Sequence, residues 1–416
     1  MEPPSLHAKF VQPSSRRRLV SVALGLALLA ASARAQDTVD LNDGTHIEGR
    51  VIFENDKKVI VRVNSHDREL ERGDVKRVDS LAGSLRLVLG RWDGAANDAA
   101  ATLDLARFCK SKGLTGEAAV FAYRVLAADG KNEEAHVLLG HDKRGDGWVV
   151  RDGDRRYSYF ELGATRKDWR RAWEFETTHY KLVTNMELAA ACDLALELEL
   201  FYRAFYDWFG KELELHEVVK PMLCEVHADR DSYPNANGRL AYYDPERDTV
   251  YELAATGLVL DVLIHEATHQ ILHDSALELH KSSGDVPGWL DEGLAEYMSG
   301  DRAGDPGHGA YDQQGKIAEH FATHREARKP YDLDRILNFS AGDFSGTSKT
   351  DLKYAQSYTL VHFCLLGDSG AHRADFLDFL RIVYDDKGSA ATFESAMKAK
   401  GRAFEKAWTA YVQSSK

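Results

Sequence analysis

Residues 257–272 read Gly-Leu-Val-Leu-Asp-Val-Leu-Ile-His-Glu-Ala-Thr-His-Gln-Ile-Leu. The apolar positions recur at helical spacing, so the stretch predicts a helix that packs one face inward. His265 and His269 stand four apart and therefore one turn apart on one face, which lets both imidazoles reach a single ion. Glu266 sits beside them at an angle suited to holding a water rather than entering the coordination shell. A donor set rich in imidazole nitrogen favours Zn2+. A five-residue pattern of this kind also occurs in helices that bind nothing. The apolar approach, Trp289 and a glutamate-rich helix further along set this one apart.

Two histidines leave a tetrahedral ion short of protein ligands, so the third must come from another element. The segment Trp289-Leu-Asp-Glu-Gly-Leu-Ala-Glu-Tyr297 predicts a helix to Met298 that offers Glu292, completing a His265, His269, Glu292 shell with one position left for water. Glu296, one turn on, faces the same way and is a candidate to orient a histidine through its other ring nitrogen. A solvent-facing carboxylate is its plainer reading. Asp291 is expected to face away, as surface or cap.

Outward from this pair, Gly238–Leu253 predicts a hairpin with its turn at Asp244–Asp248. Val218–His227 and 176–183 predict strands. Residues 186–208 predict a long helix whose Phe201, Tyr202, Phe205 and Tyr206 are too dense to be surface, and a core role fits them better than a sugar-binding strip. Upstream, 95–139 carries two apolar stripes joined near Ser111-Lys112-Gly113, a helical hairpin like one tetratricopeptide unit. One unit cannot make a binding solenoid, so it is read as a spacer or packing layer. Gly145–Gly153 reads as turn, strand, turn. Residues 37–90 alternate with period two between polar turns, which predicts a small β-rich module suited to docking. Residues 370–416 continue as packed helices. The fold class expected is α+β, with units at 36–90, 91–150 and 151–416.

The first 35 residues are set aside as a signal peptide. Arg16, Arg17 and Arg18 precede an apolar run from Leu19 to Ala31, and Ala33-Arg34-Ala35 makes a cleavage site before Gln36. The run is shorter than the roughly 20 residues of a membrane span, so the expectation is an exported chain, periplasmic or extracellular, with no stable span after cleavage. Net charge is −13; the leader carries five Lys or Arg and one acid, so the remainder stands near −17. Nucleic acid and anionic membranes are therefore poor partners. Cys109, Cys192, Cys224 and Cys364 lie far apart, make no metal knuckle and leave pairing open. The Gly- and Asp-rich stretch 300–315 reads as a loop beside the cleft and follows no calcium-loop pattern.

From Thr177 to Leu366 the chain resembles the gluzincin metallopeptidases, the superfamily of thermolysin and the metal-dependent aminopeptidases. More closely, it resembles an uncharacterised bacterial family of exported proteins with a peptidase-like core. The resemblance rests on Thr178-His179-Tyr180, His265–His269, Trp289–Tyr297 and Tyr354-Ala-Gln-Ser-Tyr358. It implies a gluzincin-like core and peptide-bond hydrolysis by metal-activated water, with Glu266 as general base that passes the proton to the leaving amine. It also implies a tyrosine that steadies the oxyanion, for which Tyr354 is the first candidate and Tyr358 the second. An extended substrate would lie along an edge strand near Leu240–Tyr243. Two departures stand out: Glu296 occupies a position that is Asp in thermolysin-like enzymes, and no Gly-x-Met-Glu-Asn motif precedes the metal helix. The second speaks against N-terminal exopeptidase action and favours an endopeptidase on peptide or protein substrates. The alternative is a noncatalytic cell-envelope binding or scaffold protein that meets an envelope partner through its N-terminal module.

Overall fold

The computed structural model describes residues 37–234, 238–280, 286–299, 314–344, 348–385, 387–398 and 402–415. The expected leader and nearly all of the Gly- and Asp-rich stretch lie outside the described residues. The architecture is mixed α+β, and no described helix is long and apolar enough to cross a membrane.

The first sheet is antiparallel, built from β1 (Asp37–Leu41), β2 (His46–Glu54), β3 (Lys58–Val63), β4 (His66–Glu71) and β5 (Val75–Asp79) in the order β4-β3-β2-β1-β5. Its alternation buries Val39, Ile47, Val51, Val59, Val61, Leu70 and Val75 on one side. A register shift between Val51 and Phe53 breaks the alternation in β2, and Ile52, Phe53 and Ile60 form a second cluster against Val219. The sheet stops earlier than the expected boundary at 90. Leu81–Ala95 is a helix, capped by Ser80, whose hydroxyl accepts from the Gly83 amide. Leu81, Leu85, Val88, Leu89 and Trp92 are buried at helical spacing.

Helices Ala99–Ser111 and Thr115–Ala128 form the expected hairpin. It is a packing layer: a Cβ at Gly116 would lie 1.9 Å from the Glu176 carbonyl oxygen, so the second helix approaches the core backbone as only glycine allows. A small sheet follows, β6 (Asp142–Arg144), β7 (Gly147–Asp152) and β8 (Arg155–Ser158).

The main sheet contains β9 (Trp173–Glu176), β10 (Tyr180–Thr184), β11 (Met222–His227), β12 (Ala241–Asp244) and β13 (Thr249–Leu253), ordered β12-β13-β11-β10-β9. β10, β11 and β13 run parallel, with β9 and β12 antiparallel at the two edges. Helix Leu188–Phe205 makes the crossover from β10 to β11, and its Phe201, Tyr202 and Phe205 are core residues as expected. The single strand expected over 176–183 is a hairpin. The amide of Thr178 donates to buried Glu117 and that of His179 to buried Glu199, each at 2.7 Å, and these acceptors draw the chain into a turn. All four cysteines are buried free thiols.

Candidate metal centre

The histidine helix spans Leu260–His280. Leu263, Ile264, Ala267 and Ile271 bury its inner face, and the Gln270 amide donates to the carbonyls of Leu223 (3.2 Å) and Asp248 (3.1 Å), tying the helix to the main sheet. His265, Glu266 and His269 line a cavity of about 730 Å³. Opposite runs helix Gly288–Met298. It lies close to helix Thr350–Gly370, since a Cβ at Gly293 would fall 2.8 Å from the Ser357 carbonyl oxygen.

This packing brings Glu292 between the two imidazoles. Its Oε2 stands 3.2 Å from His265 Nε2 and 3.7 Å from His269 Nε2. Ligand atoms of His265, His269 and Glu292 all lie within 4.8 Å of one another, a cluster able to hold a metal ion. The outer ring nitrogens have their own acceptors: His265 Nδ1 meets Glu296 Oε1 at 3.2 Å, and His269 Nδ1 meets Asp291 Oδ1 at 2.9 Å. Carboxylates on both Nδ1 atoms fix each ring and leave both Nε2 lone pairs for one ion. The donor set therefore fits a divalent metal on observed geometry.

Electrostatics agree. Burial alone would lower the imidazolium pKa of His269, but Asp291 outweighs it and raises the value to about 9. Burial also opposes charge on His265, and hydrogen bonds to Glu292 and Glu296 overcome it, holding the pKa well above the ordinary range. A metal ion thus competes with protons for these nitrogens.

Glu296 stands at His265 Nδ1, the position from which it could orient that ring. Asp291 corrects the sequence reading: instead of facing away as surface or cap, it holds His269 and lines the cavity. A further residue was missed. His320, on helix Gln314–Glu326, contacts the other oxygen of Glu296 at 3.0 Å, so one carboxylate spans His265 and His320. Its only sequence signal was a histidine on a helical segment.

Glu266 Oε2 accepts the backbone amide of Tyr243 at 2.9 Å. Tyr243 belongs to edge strand β12, so that edge faces the site where the sequence reading put it. Tyr354 lines the cavity, its ring 6.1 Å from that of His265 and 5.1 Å from that of Phe344. Burial, then the carboxylates of Glu292, Glu296 and Glu266, push its phenol above the usual range, so it remains a donor. Tyr358 lies elsewhere: fully buried, it packs 4.7 Å from the His320 ring and is not among the cavity-lining residues. Its place one turn beyond Tyr354 sets it against His320 rather than in the cavity, away from the position a donor to a reacting group there would need. His362 is likewise buried, against the Tyr411 hydroxyl at 3.0 Å.

A second cluster, Asp248, His273 and Asp274, lies one turn further along the histidine helix. Its members are already engaged: Lys220 Nζ lies 3.1 Å from Asp248, and the Tyr243 hydroxyl lies 3.1 Å from His273 Nδ1.

No curated protein matches the chain. Residues 260–406 match the family described as "Protein of unknown function (DUF1570)", and this matched stretch carries both ligand helices, His320 and Tyr354.

Proposed function

We propose that the chain is a zinc-dependent hydrolase of peptide bonds, of gluzincin type, acting in an exported protein. The observation that carries this reading is the double clamp on the histidines. Glu296 and Asp291 hold the Nδ1 atoms, both Nε2 atoms converge on Glu292, and Glu266 lines the same cavity. His265, His269 and Glu292 would hold the ion, which when bound supplies Lewis-acid polarisation of a carbonyl and acidification of water.

The remaining work belongs to side chains of this chain. Glu266, positioned by the Tyr243 amide, takes a proton from the attacking water as oxygen bonds to the carbonyl carbon. It then delivers that proton to the amine nitrogen as the C–N bond breaks. Tyr354 donates its hydroxyl hydrogen bond to the oxyanion that forms in between. Apart from the Tyr243 amide that Glu266 occupies, the β12 edge would offer its backbone groups to an extended peptide.

The test compares purified protein with Glu266→Gln, both quantified for zinc, on an unbiased peptide library read by mass spectrometry. Cleavage by the wild type alone, with zinc retained in both, is the expected result. A folded, zinc-loaded wild type that cuts nothing would favour a noncatalytic envelope scaffold.

A further inference from the structure

Strand β12 meets the histidine helix twice through one residue. Tyr243 gives its backbone amide to Glu266 Oε2 at 2.9 Å, and its hydroxyl lies 3.1 Å from Nδ1 of His273. Glu266 and His273 stand seven residues apart, two turns or about 10 Å along one face of the helix. Both line the cavity of the candidate centre. The His273 ring is itself held, because Oδ1 of buried Asp274 lies 3.1 Å from the same Nδ1. A carboxylate at Nδ1 keeps a proton on that nitrogen. Nδ1–H therefore donates to the Tyr243 oxygen as well, and the phenol hydrogen goes to Asp248 Oδ1 at 3.4 Å.

The hydroxyl contact matters because of where β12 lies. The strand has four residues and one sheet neighbour, β13, so its ladder bonds tie it to β13 and not to the helix. The Tyr243 amide is an edge amide directed at Glu266, and the carboxylate follows that amide. Gln270 secures the hairpin at the Asp248 carbonyl, beyond the turn, which leaves the β12 side to Tyr243. We propose that His273 is a positioning residue for Glu266: by holding the Tyr243 hydroxyl it fixes the Tyr243 amide, and with it the direction in which Glu266 meets the attacking water. The assignment rests on the hydrolytic reading above. A general base must stand within hydrogen-bond reach of the proton it takes, and a displacement of about 1 Å from that position costs on the order of 100-fold in rate.

The test compares Tyr243→Phe, His273→Leu, the two combined, and His273→Asn, on a peptide drawn from the library above. The single and combined losses should all lower kcat by one common factor, roughly 10–100-fold, because contacts that act as a unit are not additive. KM and zinc affinity by chelator competition should not change. His273→Asn, whose amide donates from the Nδ1 position, should recover most of kcat. Hydrogen–deuterium exchange of the Tyr243 amide in the zinc-loaded protein needs no turnover; it should quicken on the order of 10-fold in Tyr243→Phe and His273→Leu and return toward the wild-type rate in His273→Asn. Unfolding midpoints show which variants are folded, and Tyr243→Phe, which removes one oxygen, suffices if His273→Leu does not fold. Losses that multiply in the combined variant, a loss carried by KM or by zinc affinity, or unchanged Tyr243 exchange in the folded variants would overturn the positioning role. Quickened exchange in the variants of a wild type that cleaves nothing supports the Tyr243–His273 contact and overturns hydrolysis instead.

Discussion

Gly293→Ala puts one methyl group against the contact that positions Glu292. A Cβ at Gly293 would lie 2.8 Å from both the Ser357 carbonyl oxygen and Val361 Cγ2, and 3.0 Å from the Ser357 carbonyl carbon. Ordinary contact begins at 3.4 Å, so the two helices must part by roughly 0.6 Å in an interior packed as densely as an organic crystal. The Val361 side chain can turn, but the Ser357 carbonyl belongs to a helical backbone and cannot move alone. Overpacking of this kind costs about 1–3 kcal/mol, while alanine in place of glycine in a helix returns about 1 kcal/mol. The expected net loss of stability is therefore between about 0 and 2 kcal/mol, measured by urea unfolding of the metal-free protein. The effect on metal binding should be larger than that figure suggests. Glu292 is the preceding residue, and ligand constellations tolerate displacements of only about 0.5 Å. Zinc affinity, read by chelator competition, should fall on the order of 10-fold. A variant that is more stable by the full helix-propensity gain and binds zinc as tightly as wild type would refute the close-contact argument.

Asp291→Asn keeps the shape at His269 Nδ1 and removes the charge, so zinc affinity should drop about 10–100-fold while the fold survives; unchanged affinity would return Asp291 to a surface role. His320→Leu should weaken zinc binding by loosening Glu296, and His320→Gln, which retains a donor, should restore most of it. Equal chelator-competition curves for both would remove His320 from the network. Away from the site, burial disfavours charge on His179, but Glu199 and then Glu217 outweigh it and raise its pKa to about 9, against an ordinary 6.5. The stability this group contributes is therefore full below pH 6.5 and is lost as pH rises through 9, roughly 3 kcal/mol in all. Denaturant unfolding across that window should show the decline, and His179→Gln should flatten it; a parallel decline in the variant would assign the effect to other groups.

Those features of the centre that depend on one helix alone were legible in the sequence. Histidines four apart share a face whatever the helix packs against, and Glu292 with Glu296 repeats that geometry on a second helix. Asp291 was not legible. Its carboxylate does leave the helix at a different angle from that of Glu292, as the sequence reading held. The crossing of the two helices nevertheless gives Asp291 to His269 Nδ1 while Glu292 meets both Nε2 atoms. Helix Gly288–Met298 is seated on its other side by Gly288 against Ser340 and Gly293 against Ser357, contacts that no local pattern announces. The same holds for the hairpin at Thr177–His179. Its period-two alternation reads as one strand, and the turn is imposed by acceptors 61 and 20 residues distant, Glu117 and Glu199.

What was missed among the carboxylates of the centre is therefore Asp291, and the frame it completes determines how the protein meets its metal. Glu292, Glu296 and Asp291 surround two imidazoles whose pKa values they raise. Without an ion, protonated His265 and His269 offset two of these three carboxylates, with His320 3.0 Å from Glu296, so most of the charge at the helix contact is paired and the helices can pack. The metal-free protein should accordingly fold, unlike small domains whose structure depends on their zinc. Loading the site then exchanges protons for the ion, and affinity rises with pH as His269 passes through about 9. Removing Asp291 acts on both sides of that exchange. It frees His269 of its proton at neutral pH, which favours the ion, and it releases the ring from its orientation, which opposes it. A fall in affinity for Asp291→Asn at pH 7 that persists a unit or more above pH 9, where His269 no longer holds a proton, isolates the orienting effect.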